Sequence, residues 1–267
     1  MRAALLAGLL TLIGVGQALA GDPPAYLSLI IDDLGQTPSR DSRALALPGP
    51  VTLAVMPDTP HAAEFARQAH RAGKTVIVHM PMDPAEGPFA WRPDLPEDEL
   101  RKRLNAAFKA VPFAAGLNNH EGSRMTAQAS AMALLAVELQ QRGLFLIDSR
   151  TSAATQAAAQ AQAIGLASVS RDVFLDDVRT PEAIAEQLHK AVTLARKQGS
   201  AVVIGHPYPQ TLSLLEQALP ELKARGVEMI SIRQMIAERS NQAMRGHGRK
   251  GKYTPAAPAS GGGNAGE

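Results

Sequence analysis

Apolar residues in this chain come in short β-prone runs, each ending in polar or charged residues and separated by stretches with helical spacing. Leu27-Ser28-Leu29-Ile30-Ile31 runs into Asp32-Asp33 and then Gly35. Val51 to Met56 is stopped by Pro57, and Thr75 to Val78 leads into His79-Met80-Pro81-Met82-Asp83. Phe113 to Leu117 delivers Asn118-Asn119-His120-Glu121, and Leu144 to Ile147 delivers Asp148-Ser149-Arg150. Leu166 to Val169 is weaker, Ala201 to Ile204 precedes Gly205-His206-Pro207, and Glu228 to Ile232 is the last run. Short apolar runs bounded by turn signals read as strands buried on both faces, the habit of parallel sheets.

Helical periodicity fills the intervals. Thr59 caps a helix with Pro60 in its first turn, where a missing N–H costs nothing, and Ala63, Phe65, Ala66 and Ala69 line it. Leu100, Leu104 and Phe108 mark a helix from about Glu97 to Lys109; Met132, Leu135 and Leu139 mark one from Thr126 to Gln141. Ala153 to Ile164, Thr180-Pro181 to Lys197 and Thr211 to Ala224 complete the set. Gly35 and Pro38 predict a loop after the first strand. The proline- and glycine-rich stretch ending at Pro96 predicts a long loop beside the strand ends, with Trp91 as one wall of a site. Strand and helix alternate with short connections, which argues for parallel pairing. Seven or eight such units in one domain suit a closed or nearly closed barrel, with a doubly wound open sheet as the alternative. No strand is followed by a glycine-rich nucleotide loop.

Composition narrows the partners. The 267 residues are 45% hydrophobic and 4% aromatic, enough for a single aliphatic core. Net charge is +2 and no basic run is interleaved with aromatics, so nucleic acid is not an expected partner. There is no cysteine, which excludes disulfides, thiolate catalysis and zinc–thiolate sites. Arg2, the apolar stretch from Ala3 to Val15 and Ala18-Leu19-Ala20 read as a signal peptide over residues 1–20, cleaved after Ala20. Export to the periplasm or secretion is the expected localisation, with no stable membrane span once the leader is gone. Residues 241–267, basic and then rich in Pro, Ala and Gly, read as a disordered tail after a domain over 21–240. Oligomeric state is not legible.

The strand ends carry the chemistry. Three of the seven histidines, His79, His120 and His206, directly follow apolar strands, alongside Asp32, Asp33, Asp83, Asp148, Asp176 and Asp177. Barrel enzymes draw their catalytic groups from the C-terminal ends of several strands. Imidazole and carboxylate are the usual ligands of a catalytic zinc with an open position. Asp33 and His79 are the first two ligands; the third is Asp83 or His120. His120 is preferred, because Pro81 and Pro84 disfavour helical spacing after His79. Asp32 is then the base, and His206 the acid, its other nitrogen requiring a carboxylate or carbonyl partner. Arg124 and Arg150 either pair with neighbouring acids or bind an anionic substrate group. Asp148 orients a catalytic residue or caps a helix. His61, His70 and His189 read as structural.

Ile30-Ile31-Asp32-Asp33-Leu34-Gly35, Val78-His79-Met80-Pro81-Met82, Asn118 to Arg124, Ile147 to Ser152 and Ile204-Gly205-His206-Pro207 together resemble the divergent polysaccharide deacetylase family, over roughly Tyr26 to Ile236. That family is remotely similar to the carbohydrate esterases that remove acetyl groups from chitin-like polymers and peptidoglycan. The resemblance implies a deformed seven- to eight-stranded β/α barrel, a divalent metal such as Zn2+, and a carbohydrate polymer or oligosaccharide as partner. By motif position it implies a base at Asp32, a metal ligand at Asp33 and His79, and an acid at His206. The esterases carry a second histidine where this chain has Asp83. The expected function is metal-dependent deacetylation of envelope polysaccharide. The alternative is a catalytically inactive carbohydrate-binding or envelope-organising protein on the same fold.

Overall fold

The computed structural model describes residues 25–250; the expected leader and residues 251–267 lie outside them. The strands are β1 (Ala25–Leu34), β2 (Thr52–Val55), β3 (Thr75–Met82), β4 (Gly116–Glu121) and β5 (Phe145–Asp148), then β6 (Ser168–Ser170), β7 (Val173–Phe174), β8 (Ser200–Gly205) and β9 (Val227–Met229). The helices are α1 (Pro38–Ala46), α2 (Ala62–Arg71), α3 (Glu97–Ala110), α4 (Ala129–Gln141), α5 (Ala157–Ala163), α6 (Pro181–Gln198), α7 (Pro209–Ala218) and α8 (Ile232–Lys250).

Every strand pairing is parallel, as the alternation of elements requires. The strand order is β6-β5-β4-β3-β2-β1-β8-β7, with β9 paired to the start of β1. The expected barrel is therefore a curled half-barrel: β6 and β7, the two ends of the arc, do not pair. Backbone bridges the seam instead. Arg171 N–H donates to Asp148 C=O on one side (3.0 Å), and Asp172 N–H donates to Val202 C=O on the other (2.9 Å).

The two faces of the sheet bury separate apolar sets. Leu27, Leu29 and Ile31 of β1, Val76 and Val78 of β3, and Ala201 and Val203 of β8 pack outward under the helices. Ile30, Ile77, Ile147, Val202 and Ile204 fill the concave side, where Ile232 and Met235 of α8 join them. Each such side chain removed from water contributes about 1.5–3 kcal/mol. Gly116 permits one close approach in this inner layer, since a Cβ there would lie 2.5 Å from the Phe145 ring.

Several elements differ from the sequence expectation. The segment after β1 is a helix, α1, rather than a loop. It opens on Pro38 and buries only Asp41 and Ala44, so it carries too few apolar positions to announce itself. The expected last strand ends early at Met229, and α8 begins at Ile232. That helix runs on to Lys250, past Asn241, where the sequence places the start of the tail. Trp91 is fully buried rather than a site wall; its N–H and C=O bond Pro81 and Asp83, which makes it a plug behind β3. No helix among the described residues is long and apolar enough to cross a membrane.

Candidate metal centre

Strand periodicity decides which side chains reach the concave face, because successive residues of a strand point to opposite sides. Asp32 shares parity with inward Ile30, His79 with Ile77, and His206 with Val202 and Ile204. Asn118 and His120 alternate with outward Leu117. On that count Asp33 would point away from Asp32. However, the β1–β2 register slips between Ile31 and Leu34, and Asp33 adopts a left-handed φ of 57°. This bulge swings the second carboxylate to the same side as the first. An L-residue pays about 1 kcal/mol for such a backbone, and strain of this kind gathers at functional sites. Between the two donor strands, β2 stops at Val55, opposite Val78, so Asp33 and His79 meet over its end.

Three donor atoms converge there. Asp33 Oδ1 lies 3.3 Å from His79 Nε2 and 3.0 Å from His120 Nδ1, and the two nitrogens are 3.1 Å apart. Among the described residues this is the one cluster of three or more His, Asp or Glu side chains able to hold an ion. A four-coordinate zinc with bonds of about 2.0–2.1 Å has donor–donor edges of about 3.3–3.4 Å, so the triangle is close to one face of such a polyhedron.

The protonation of His79 follows from its neighbour. Asn118 Nδ2 donates to Asp32 Oδ1 at 2.8 Å and to Ser149 Oγ at 3.3 Å. That leaves Asn118 Oδ1 facing His79 Nδ1 at 2.7 Å, so Nδ1 carries the proton and donates it. Nε2 of the neutral ring then turns a lone pair on Asp33 Oδ1 and His120 Nδ1. Asp33 Oδ1 is buried and accepts no well-aligned hydrogen bond. Lone pairs collected this closely repel unless a cation or proton lies among them. The residues present fit a divalent ion.

Electrostatics agree with the crowding. Burial alone would raise the Asp33 carboxyl, but contacts to His120 and His79 outweigh it and hold the group well below the carboxylate range. Burial would likewise lower His79; without an ion, the Asp32 and Asp33 carboxylates override it and push the imidazole up to about 9. Asp32, whose Oδ2 is 3.6 Å from His79 Nε2, goes the other way. Its burial raises it despite His79, His206 and the Asn118 hydrogen bond.

His206 stands on the opposite flank, its Nε2 3.8 Å from Asp33 Oδ2. Asp176 anchors it: Oδ1 meets His206 Nδ1 at 2.9 Å, and Oδ2 accepts the His206 backbone N–H and the Thr211 hydroxyl, each at 2.7 Å. Burial pulls the imidazole down, yet Asp176, with Asp32 and Asp33, raises it above its ordinary value.

The sequence-nominated Asp32, Asp33, His79, His120 and His206 thus meet at one rim. Asp83 does not join them. Its carboxylate is spent on Arg124 Nη2 at 2.5 Å, and its carbonyl accepts the N–H groups of Arg124 and Met125. Asp148 accepts the Arg150 N–H and the Thr155 hydroxyl, which makes it a clamp on the β5 turn. The sequence reading counted Asp176 among the strand-end acids without giving it a role, and it gave Asn118 none. The requirement for a partner on the second nitrogen of His206 was the signal for Asp176. Asn118 had none beyond its place beside His120.

Known proteins resemble this chain in sequence and in fold. The chain is 39% identical over 200 residues to the uncharacterized protein YibQ of Escherichia coli, an alignment covering 73% of this chain and 63% of that one. The chain thus spans less than two thirds of that relative's length. The structure of ATU2773 from Agrobacterium tumefaciens superposes with a TM-score of 0.76 at 21% identity, covering 82% of this chain and 92% of the other. A mutant of BA3943 of Bacillus anthracis, described as a CE4 family pseudoenzyme with restored enzymatic activity, gives 0.51 at 15% identity, covering 80% and 68%. These two share the fold. Residues 29–236 match the model of the divergent polysaccharide deacetylases, and the chain belongs to that family.

Proposed function

We propose that this protein is an exported, zinc-dependent hydrolase that removes N-acetyl groups from envelope polysaccharide or its fragments. The observation that carries the reading is the triangle of Asp33 Oδ1, His79 Nε2 and His120 Nδ1 at 3.0–3.3 Å, with the His79 tautomer fixed by Asn118. Asp33, His79 and His120 would hold the ion, which supplies Lewis-acid polarisation of an acetyl carbonyl and a lowered pKa for water. Asp32, kept basic by burial, accepts the proton that water gives up as it adds to the carbonyl. His206, whose hold on a proton Asp176 strengthens against the effect of burial, passes a proton to the departing amine as the C–N bond breaks. Acetate and a free amino sugar leave, and the proton on Asp32 returns to His206 through solvent. Export rests on the leader at residues 1–20.

The test is metal analysis of purified protein together with acetate release from N-acetylated chitooligosaccharides and peptidoglycan fragments. Stoichiometric ion and zinc-dependent acetate release are expected. A protein that holds the ion, binds the glycan and releases nothing would be the non-catalytic relative instead. One that retains no divalent ion at all sinks the reading.

A further inference from the structure

Two of the three imidazoles at the rim have a partner on the nitrogen that does not face the centre: Asn118 on His79 Nδ1, and Asp176 on His206 Nδ1. His120 turns Nδ1 into the donor triangle, so a neutral, ligating His120 carries its proton on Nε2. Ligating histidines almost always donate this second N–H to a carboxylate, a carbonyl or water. The side chain within reach is that of Glu121, whose Oε1 lies 4.0 Å from His120 Nε2. The reaction outlined above gives Glu121 no part.

Strand geometry alone would keep these two side chains apart. His120 and Glu121 are successive residues of β4, and successive side chains of a strand point to opposite faces. His120 takes the concave side, so Glu121 would be sent outward with Leu117. Instead Glu121 adopts a left-handed φ of 51°, which turns its carboxylate back toward the ring. The surroundings pin that backbone. The Glu121 carbonyl accepts Asn119 Nδ2 and the Thr151 hydroxyl, each at 2.7 Å, and Asn119 Oδ1 in turn accepts the Ser149 N–H at 2.9 Å. Backbone strain that its neighbours over-determine gathers at functional sites. Asp33 shows the same device on β1.

Nothing else holds the carboxylate. Among the described residues, His120 Nε2 is the one nitrogen that it meets as an ion pair, and it makes no hydrogen bond elsewhere. Nor is Glu121 among the converging donors, which are Asp33, His79 and His120. The gap to His120 is about 1 Å more than a charge-assisted hydrogen bond. The glutamate side chain is 49% exposed and has room to close it by rotating.

We propose that Glu121 is a positioning residue: its carboxylate accepts the Nε2–H of His120 and so holds the ring with Nδ1 toward the ion. This deepens the reading above, resting on its metal centre rather than on acetyl hydrolysis. The test is zinc titration of the full chain against a chelating dye, together with 15N NMR of the histidine rings in the zinc-loaded protein. Glu121→Ala should weaken zinc binding about tenfold, the lower end of what such partners are worth, because the carboxylate is half-exposed. Glu121→Gln keeps an oxygen acceptor and should lose less. In wild type, His120 should bind zinc through Nδ1 and show an Nε2–H protected from exchange with water; the alanine variant should lose that protection. The position is exposed, so both chelated variants should melt within about 2 °C of wild type.

Unchanged zinc affinity in Glu121→Ala, an Nε2–H whose exchange ignores the substitution, or a ring bound through Nε2 overturns the role. A glutamine variant that loses as much as the alanine also overturns it, because charge alone would then be acting. A chelated alanine variant that melts well below wild type makes Glu121 structural, with the same result. Wild type that retains no zinc removes the metal centre and this role together. Zinc and a protected Nε2–H without acetate release remove the hydrolase and leave the role standing.

Discussion

His79 Nδ1 lies 2.7 Å from Asn118 Oδ1, and the same amide donates to Asp32 Oδ1 at 2.8 Å. One uncharged side chain therefore sets the tautomer of a candidate ligand and the orientation of the candidate base. Partners of this kind on ligating histidines are typically worth 10–100-fold in metal affinity. Asn118→Leu should weaken zinc binding by about that factor, read by calorimetric titration, while the outer apolar layer is untouched. Asn118→Asp keeps the acceptor for His79 but sets a carboxylate against Asp32, so zinc affinity should survive better than catalysis does. Wild-type zinc affinity in both variants would show that the amide positions nothing.

The ion-free protein should lose stability as pH rises. His79 is pushed up to about 9 when no ion is present, against about 6.5 unfolded. The folded state thus binds the proton more tightly, and the resulting stabilisation is complete below about pH 6.5 and gone once pH passes about 9. His206, also raised, acts with the same sign. A bound ion takes the proton's place among the donors, so the zinc-loaded protein should escape this loss and bind metal more tightly as pH climbs. Calorimetry of chelated and zinc-loaded protein across pH 6.5–9 reads both. A chelated protein melting at one temperature throughout would contradict the charged cluster.

Much of this site was legible because its residues end apolar runs. Asp32, Asp33, His79, His120 and His206 each follow a β-prone stretch, and parallel strands bring such ends together. What sequence spacing does not carry is the bulge at Asp33, since two adjacent strand residues are ordinarily sent to opposite faces. The roles of Asn118 and Asp176 were illegible for a related reason: each bonds a side chain from another strand, which leaves no local pattern, although Asp176 was visible as a strand-end acid. Elements that bury little were also lost. α1 seals the turn after β1 with one alanine and one aspartate, and α8 meets the inner layer mainly through Ile232 and Met235. Trp91 was misread because a proline- and glycine-rich stretch resembles an exposed loop, whereas its backbone pairs beside β3 and buries the ring.

The choice of third ligand is open to a direct swap. Asp83 is bound by Arg124 and is not among the converging donors, whereas His120 completes the triangle. His120→Ala should lose zinc on dialysis, and Asp83→Asn should keep it. Because Asp83 is buried while Arg124 is largely exposed, the asparagine should cost only about 1 kcal/mol of stability. Zinc retained by His120→Ala and lost by Asp83→Asn would reverse the assignment.

His206 and Asp176 should fail differently from the ligands. His206 gives no donor atom to the triangle; its Nε2 stands 3.8 Å from the far oxygen of Asp33. His206→Ala should therefore keep its zinc and lower kcat by about 10²–10⁴, the usual worth of a positioned proton donor. Asp176→Asn removes the charge that raises the His206 imidazole, but an amide oxygen there can still accept a hydrogen bond from the backbone or from Thr211. Its main effect should be on pH dependence. With the imidazole no longer raised, the alkaline limb of the kcat profile should move to lower pH while KM stays near wild type. An unmoved alkaline limb would mean that another group delivers the proton to the leaving amine.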